Sequence, residues 1–185
     1  MKKKIILTSL IIIACGTILI IMLGFYPVAV VNWRVITIKD FKKDLAVANY
    51  FYKTTLDENL NPDSPEIKKR IKREVLDKLI EDILINKELK LQLKNSELEE
   101  ILKNKTDELT KQEGIEKEIK ILYGLSLEDF KEQVSRPILK REILAGRFLI
   151  NNKDFIGWMK EQKNQAKVMI FFPDLIWKEG GVVIK

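Results

Sequence analysis

From Ile5 to Phe25 the chain runs 21 residues without a charge, directly after the triplet Lys2-Lys3-Lys4. At about 1.5 Å of rise per residue, a helix of that length spans roughly 30 Å, the thickness of a bilayer core. The length predicts a single transmembrane helix, with the lysines kept cytoplasmic by the positive-inside rule and everything from residue 26 on the extracytoplasmic side. A cleaved secretory signal has a shorter apolar core closed by small residues, and no A-x-A-like site comes after this one. Ile12-Ile13-Ala14-Cys15 is similar to a lipobox, so a lipidated Cys15 is a second reading. Against it, the residues after Cys15 stay apolar where a lipid tether turns polar. Either way the chain meets a membrane through residues 5–25, and it divides into an anchor at 1–26 and a domain at 27–185.

The segment beyond the anchor has the composition of a folded domain. The whole chain is 46% hydrophobic and 32% charged, enough apolar material for a core. Its net charge of +6 overstates the basicity of the domain, because three lysines precede the apolar run and all 27 acidic residues come after it. Lysine and arginine alternate with acids along nearly every segment, so no basic stripe for nucleic acid is expected. Histidine is absent and Cys15 is the single cysteine. That removes the commonest general base, the commonest metal ligand and any Ser-His or Cys-His pair. No Gly-rich phosphate loop is present either. Carboxylate pairs such as Glu99-Glu100 and Asp107-Glu108 sit on the most charged segments, where a solvated face is the ordinary reading. The chain reads as a non-enzyme without metal or cofactor.

Periodicity and capping residues lay out a mainly α domain. Val28–Val31 and Val35-Ile36 read as a hairpin across Asn32-Trp33-Arg34. Thr37 and Asp40 have capping-box spacing and open a helix with Phe41, Leu45, Ala48 and Tyr52 on one face. Ser64 before Pro65 caps the next. Its stripe is Ile67, Ile71, Val75, Leu76, Leu79, Ile80, Ile83 and Leu84, with charges between that read as a wet face. Asn95-Ser96 breaks it, Ser96 with Glu99 marking a new cap; residues 97–112 read as an exposed helix or a mobile arm. Gly114 and Gly124 bracket a short helix, and Ser126 with Asp129 caps another that Pro137 interrupts near Ser135-Arg136. Asp154 starts a last helix. Val168–Phe172 reads as a strand, and Gly180-Gly181 precedes a terminal strand at Val182–Ile184. The natural partner of that last strand is the hairpin at residues 28–36, giving a small sheet that joins the two ends of the domain.

Aromatics cluster at Tyr50-Phe51-Tyr52, at Phe148 with Phe155 and Trp158, and at Phe171-Phe172 with Trp177. Consecutive helical residues diverge by about 100°, so one of Tyr50, Phe51 and Tyr52 must lie at a groove or surface. Two readings stay open: ordinary core with a half-exposed tyrosine, or an apolar cleft for extended or unfolded chain segments. For the second, Tyr50, Phe51, Tyr52, Phe148, Phe155 and Trp158 are the candidate peptide-binding residues.

The run from Val28 to Phe41, VAVVNWRVITIKDF, resembles the opening of the chaperone region in SurA- and PrsA-type exported chaperones and prolyl isomerases. Tyr123–Phe130, YGLSLEDF, is similar to a helix start of that family, and Arg73–Ile80 fits a further helical segment. The likeness spans roughly residues 27–170. Trp33 stands where the family usually has glycine. The family's isomerases add a parvulin domain with active-site histidines, for which this chain has neither room nor histidine. The resemblance therefore implies the helical SurA N-terminal-like module alone: a membrane-anchored, ATP-independent holdase for unfolded, newly exported polypeptides. The alternative is a non-catalytic scaffold or assembly subunit that binds one membrane or envelope protein.

Overall fold

The computed structural model describes residues 24–55 and 63–185. The apolar run up to Leu23, Cys15 with it, and the Asn61-Pro62 part of the expected loop lie outside the described residues. Among the described residues no helix is long and apolar enough to cross a membrane. The architecture is mainly helical, with two small antiparallel sheets.

The hairpin forms from β1 (Pro27–Val31) and β2 (Arg34–Thr37). Its loop has two residues rather than the three read from the sequence, since Arg34 pairs with Val31. Asn32 and Trp33 take φ of 47° and 70°, the paired positive values of a type I′ turn, in which glycine is favoured at the second position. A side chain other than glycine costs about 1–2 kcal/mol in that region, so Trp33 is a strained residue at the tip. Trp33→Gly is therefore expected to raise stability by about 1 kcal/mol, after allowance for the entropy of glycine. A urea melt of the two proteins checks it.

Among the described residues the hairpin leads into six helices of two turns or more. Three of them begin where a side chain supplies a partner for the first free N–H groups. Thr37 caps α1 (Ile38–Thr55), its Oγ1 accepting from the Asp40 N–H at 3.1 Å. Ser64 accepts from Ile67 at 3.3 Å at the head of α2 (Pro65–Gln92). For α3 (Asn95–Leu109) the expected Ser96 cap does not form. The helix starts two residues earlier, from an extended Lys94 with no side-chain cap. Residues 97–109 are thus a helix rather than an arm, held by Leu98, Leu102 and Thr106 on its buried face. Left-handed Gly114 and Gly124 delimit α4 (Ile115–Tyr123). Ser126 then caps a single turn, α5 (Leu127–Phe130).

Lys131–Ser135 continue α5 as a π-turn that leads into α6 (Arg136–Ile150). The Arg136 N–H reaches the Lys131 carbonyl, five residues back. Pro137 has no N–H to give and crowds the carbonyl four residues before it, and the extra residue of the π-turn accommodates both. An inserted residue also turns the subsequent helix face by about 100°. Leu139 consequently enters the core, and its neighbour Ile138 stands 51% exposed. Asp154 caps α7 (Phe155–Gln165), accepting from Ile156 at 2.9 Å.

The strand that joins the hairpin is β3 (Val168–Ile170), not the last one. Asn32 fixes it at the tip: its N–H donates to the Lys167 carbonyl and its side-chain oxygen accepts the Lys167 N–H, both at 3.0 Å. The expected pairing of Val182–Ile184 with residues 28–36 is therefore wrong. β5 (Gly181–Ile184) folds back on β4 (Leu175–Lys178), a strand the sequence reading missed, through Glu179 and Gly180 at φ of 52° and 74°. A two-residue turn closes locally at far less entropic cost than a return across the whole chain, and β3 already fills the free side of β1.

α1, α6, α7 and β5 all pack on α2, whose Ile71, Val75, Leu76, Ile80, Leu84, Ile85 and Leu89 are buried. Its charged face is not uniformly wet. Lys163 on α7 donates to Asp77 at 2.7 Å and to Glu81 at 2.9 Å. Arg141 on α6 reaches Glu81 at 2.5 Å, and the Val182 N–H of β5 donates to Asp77 at 3.3 Å. One mid-helix carboxylate pair thus ties α6, α7 and β5 to α2.

Candidate functional site

The three consecutive aromatics of α1 diverge as helix geometry requires. Tyr52 turns toward α2, where its hydroxyl donates to Glu74 at 2.7 Å. That hydrogen bond, with burial, holds the hydroxyl above its ordinary pKa. Phe51 turns toward α4 and stacks on Tyr123, ring centroids 5.2 Å apart and planes within 18°. Tyr50 is the outermost and lies across Gly124, where a Cβ would stand 2.9 Å from its ring. Tyr123 in turn meets Phe130 at 5.1 Å. Phe51, Tyr123 and Phe130 form a ladder from α1 through α4 to α5.

Two clefts open beside this ladder. The first encloses about 200 Å³ between α1, α2, α4 and the π-turn, with Ala48, Phe51, Tyr52, Val75, Tyr123 and Val134 as apolar wall. It is smaller than the roughly 300–1,000 Å³ of small-molecule sites and suits one or two side chains. Asp44 and Lys78 stand at its polar side. Lys78 bonds Asp44 at 3.0 Å and Asp82 at 2.9 Å. Burial opposes its charge, yet the two carboxylates hold it above its ordinary value. The second cleft, about 530 Å³, lies between α3, α4 and α6, with Leu109, Ile115, Phe130 and Leu139 in its wall. Ile138 lines both.

The π-turn forms the divide between them, and its polar atoms are unusual. Among the described residues, the buried side-chain polar atoms with no hydrogen-bond partner are Gln133 Oε1 and Ser135 Oγ. Gln133 lines the first cleft and Ser135 the second. An unpaired buried polar group costs about 1–3 kcal/mol, and π-turns recur at functional sites. The clefts offer apolar surface for side chains, while Gln133 Oε1 and Ser135 Oγ lie beneath that surface, shielded from solvent.

The other aromatic trio has a different setting. Phe148 is buried and meets Phe155 at 5.9 Å and Trp158 at 5.2 Å, while Phe155 and Trp158 stack at 5.8 Å. The Arg141 guanidinium sits 5.5 Å over the Phe155 ring. This cluster joins α6 to α7, and the clefts of the ladder do not reach it. The six candidate residues therefore fall into two groups, of which only Phe51 and Tyr52 line the first cleft, with Tyr50 at its outer edge. Tyr123, Phe130, Gln133 and Ile138 were missed as site residues. Their signal was the proline inside a helical pattern and the two glycines around α4, which place them opposite α1.

Among the described residues no group of three or more His, Cys, Asp or Glu is arranged to hold a metal ion. No protein-family profile, no curated protein and no solved structure matches this chain.

Proposed function

We propose that the protein is a membrane-anchored, ATP-independent holdase that shelters apolar segments of unfolded exported polypeptides. The observation that carries this reading is the divided groove: an aromatic ladder and two open apolar clefts with a π-turn between them. A client's apolar side chains enter the clefts, over walls formed by Phe51, Tyr123, Phe130 and Ile138. Residues 5–25 hold the groove at the bilayer, where translocated chains emerge. Binding is weak and reversible, because the groove is open and each side chain adds only about 1.5–3 kcal/mol on burial.

The full chain in lipid nanodiscs should suppress aggregation of several unrelated unfolded proteins at stoichiometric ratios. Ile138→Asp should weaken client affinity about tenfold or more, since a charge replaces an apolar contact shared by both clefts. At a half-exposed position it should change stability by no more than about 0.5 kcal/mol. Fluorescence anisotropy of a labelled unfolded client, beside a thermal melt, separates the two effects. A second reading, a scaffold for one folded partner, is favoured by Leu149, Ile150 and Ile156, which flank the turn between α6 and α7 and are largely exposed. Failure of suppression across the whole panel, with tight capture of one partner, decides for the scaffold.

A further inference from the structure

We propose that the outer face of the three-stranded sheet rests on the lipid surface, with Trp33 seated among the headgroups; this depends on the anchoring of residues 5–25 proposed above. The sheet has the order β2-β1-β3. Side chains directly opposite one another share a face. Ala29 faces Ile36 and Ile170 on the inner side, where Ala29 and Ile36 are buried. On the outer side Val30 faces Val35 and Met169, which stand 51% and 57% exposed. Phe171 continues that side, 55% exposed, while Phe172 turns inward to meet Phe41 at 4.8 Å. At the tip, Trp33 is 89% exposed in the strained turn described above.

An apolar row across three strands needs an occupant, and three observations identify it as a bilayer. The first is where the uncharged run ends. Phe25 is two residues from β1, the central strand of this sheet, and no slack linker intervenes. The Gly24 and Tyr26 carbonyls accept the Lys39 and Ile38 N–H groups at 3.1 and 3.0 Å. A helix leaving the membrane at Phe25 therefore delivers this sheet to the lipid surface before any other part of the domain.

The second is charge. Residues 24–39 contain Arg34 and Lys39 and no acid, and residues 166–173 contain Lys167 and no acid, in a chain with 27 acidic residues. Such a bias complements anionic headgroups. The third is residue type. Exposed Trp, Tyr and Phe are the side chains that favour the membrane–water boundary. Phe25, Tyr26, Trp33 and Phe171 are all exposed here.

The test uses the full chain in vesicles of phosphatidylcholine and phosphatidylglycerol, with or without bromine on the upper acyl carbons. Emission of the wild type is compared with that of Trp33→Phe. The expected result is flotation with the vesicles and a blue-shifted Trp33 component that is lost in brominated lipid. In the Trp33→Phe background, Met169→Trp should restore a bromine-quenched signal, whereas Leu149→Trp on α6 should not. A chain that floats while Trp33 emission ignores bromine overturns the proposal and leaves the anchoring intact. A blue shift that ignores bromine but grows with protein density does the same and assigns the face to a second copy. A chain that fails to float overturns the anchoring, and this proposal with it.

Discussion

Leu76→Ala is expected to lower the stability of the domain by about 3–4 kcal/mol, the range for leucine deletions at sites that cannot collapse. Leu76 is fully buried, halfway along the one helix that α1, α6, α7 and β5 all contact. Its neighbours on the same stripe, Val75 and Ile80, are buried too and belong to the same core. None can move into the vacated space without withdrawing from a partner helix, so the cavity persists. For a domain of this size each kcal/mol shifts the melting temperature by about 2–4 °C, and a drop of roughly 10 °C in a thermal melt followed by circular dichroism is the expected reading. A shift below about 3 °C would mean that α2 is not the central support.

The second large effect concerns charge. Lys163→Met should cost about 2–3 kcal/mol, because Asp77 loses its cation and Glu81 keeps only Arg141. The pH dependence identifies the cause. Burial alone would raise the Glu81 carboxyl, but hydrogen bonds from Lys163 and Arg141 hold it below its ordinary value of 4.5. Burial would likewise lower the Lys163 ammonium, and Asp77 and Glu81 hold it above its ordinary 10.5. A lowered carboxyl contributes stability above its unfolded pKa and loses it as pH falls through the folded one. A raised ammonium contributes below its unfolded pKa and loses it as pH rises through the folded one. The difference between wild type and Lys163→Met should therefore be flat across the neutral range and shrink on acidification below about 4. Urea melts at several pH values measure it; a difference that persists unchanged in acid would assign the loss to packing of the lysine stem.

What could be read from the sequence was local chemistry. Thr37, Ser64, Ser126 and Asp154 cap helices where their spacing says they should, since a cap depends on residues within one turn. The stripe on α2 was legible because many turns of regular spacing leave one solution. The Ser96 cap failed for want of the same constraint: Lys94 takes extended geometry two residues sooner, and the helix begins at Asn95. Pro137 marked an interruption near Ser135-Arg136 but not its kind, since Lys131-Glu132-Gln133 reads as any solvated helix surface and not as a π-turn. Its effect appears only in three dimensions, as Leu139 inside and Ile138 out. Half of the site was hidden too, because Tyr123 meets Phe51 only where α4 packs on α1, and Phe130 meets Tyr123 only across the Gly124 turn. The β4–β5 hairpin was missed for a different reason. Leu175–Lys178 is short, and Glu179 gives no hint of a left-handed conformation.

The clasp at Asn32 carries a consequence for the order of assembly. Its partner Lys167 lies 135 residues further along the chain, so the hairpin emerges early and waits with one side of β1 unsatisfied. Helices α1 to α6 can condense in that interval, because their contacts with one another do not involve β3. The sheet cannot close until β3 arrives, and long-range pairings of this kind are slow to form. During synthesis the unfinished strand is a bare edge, open to any extended chain that passes.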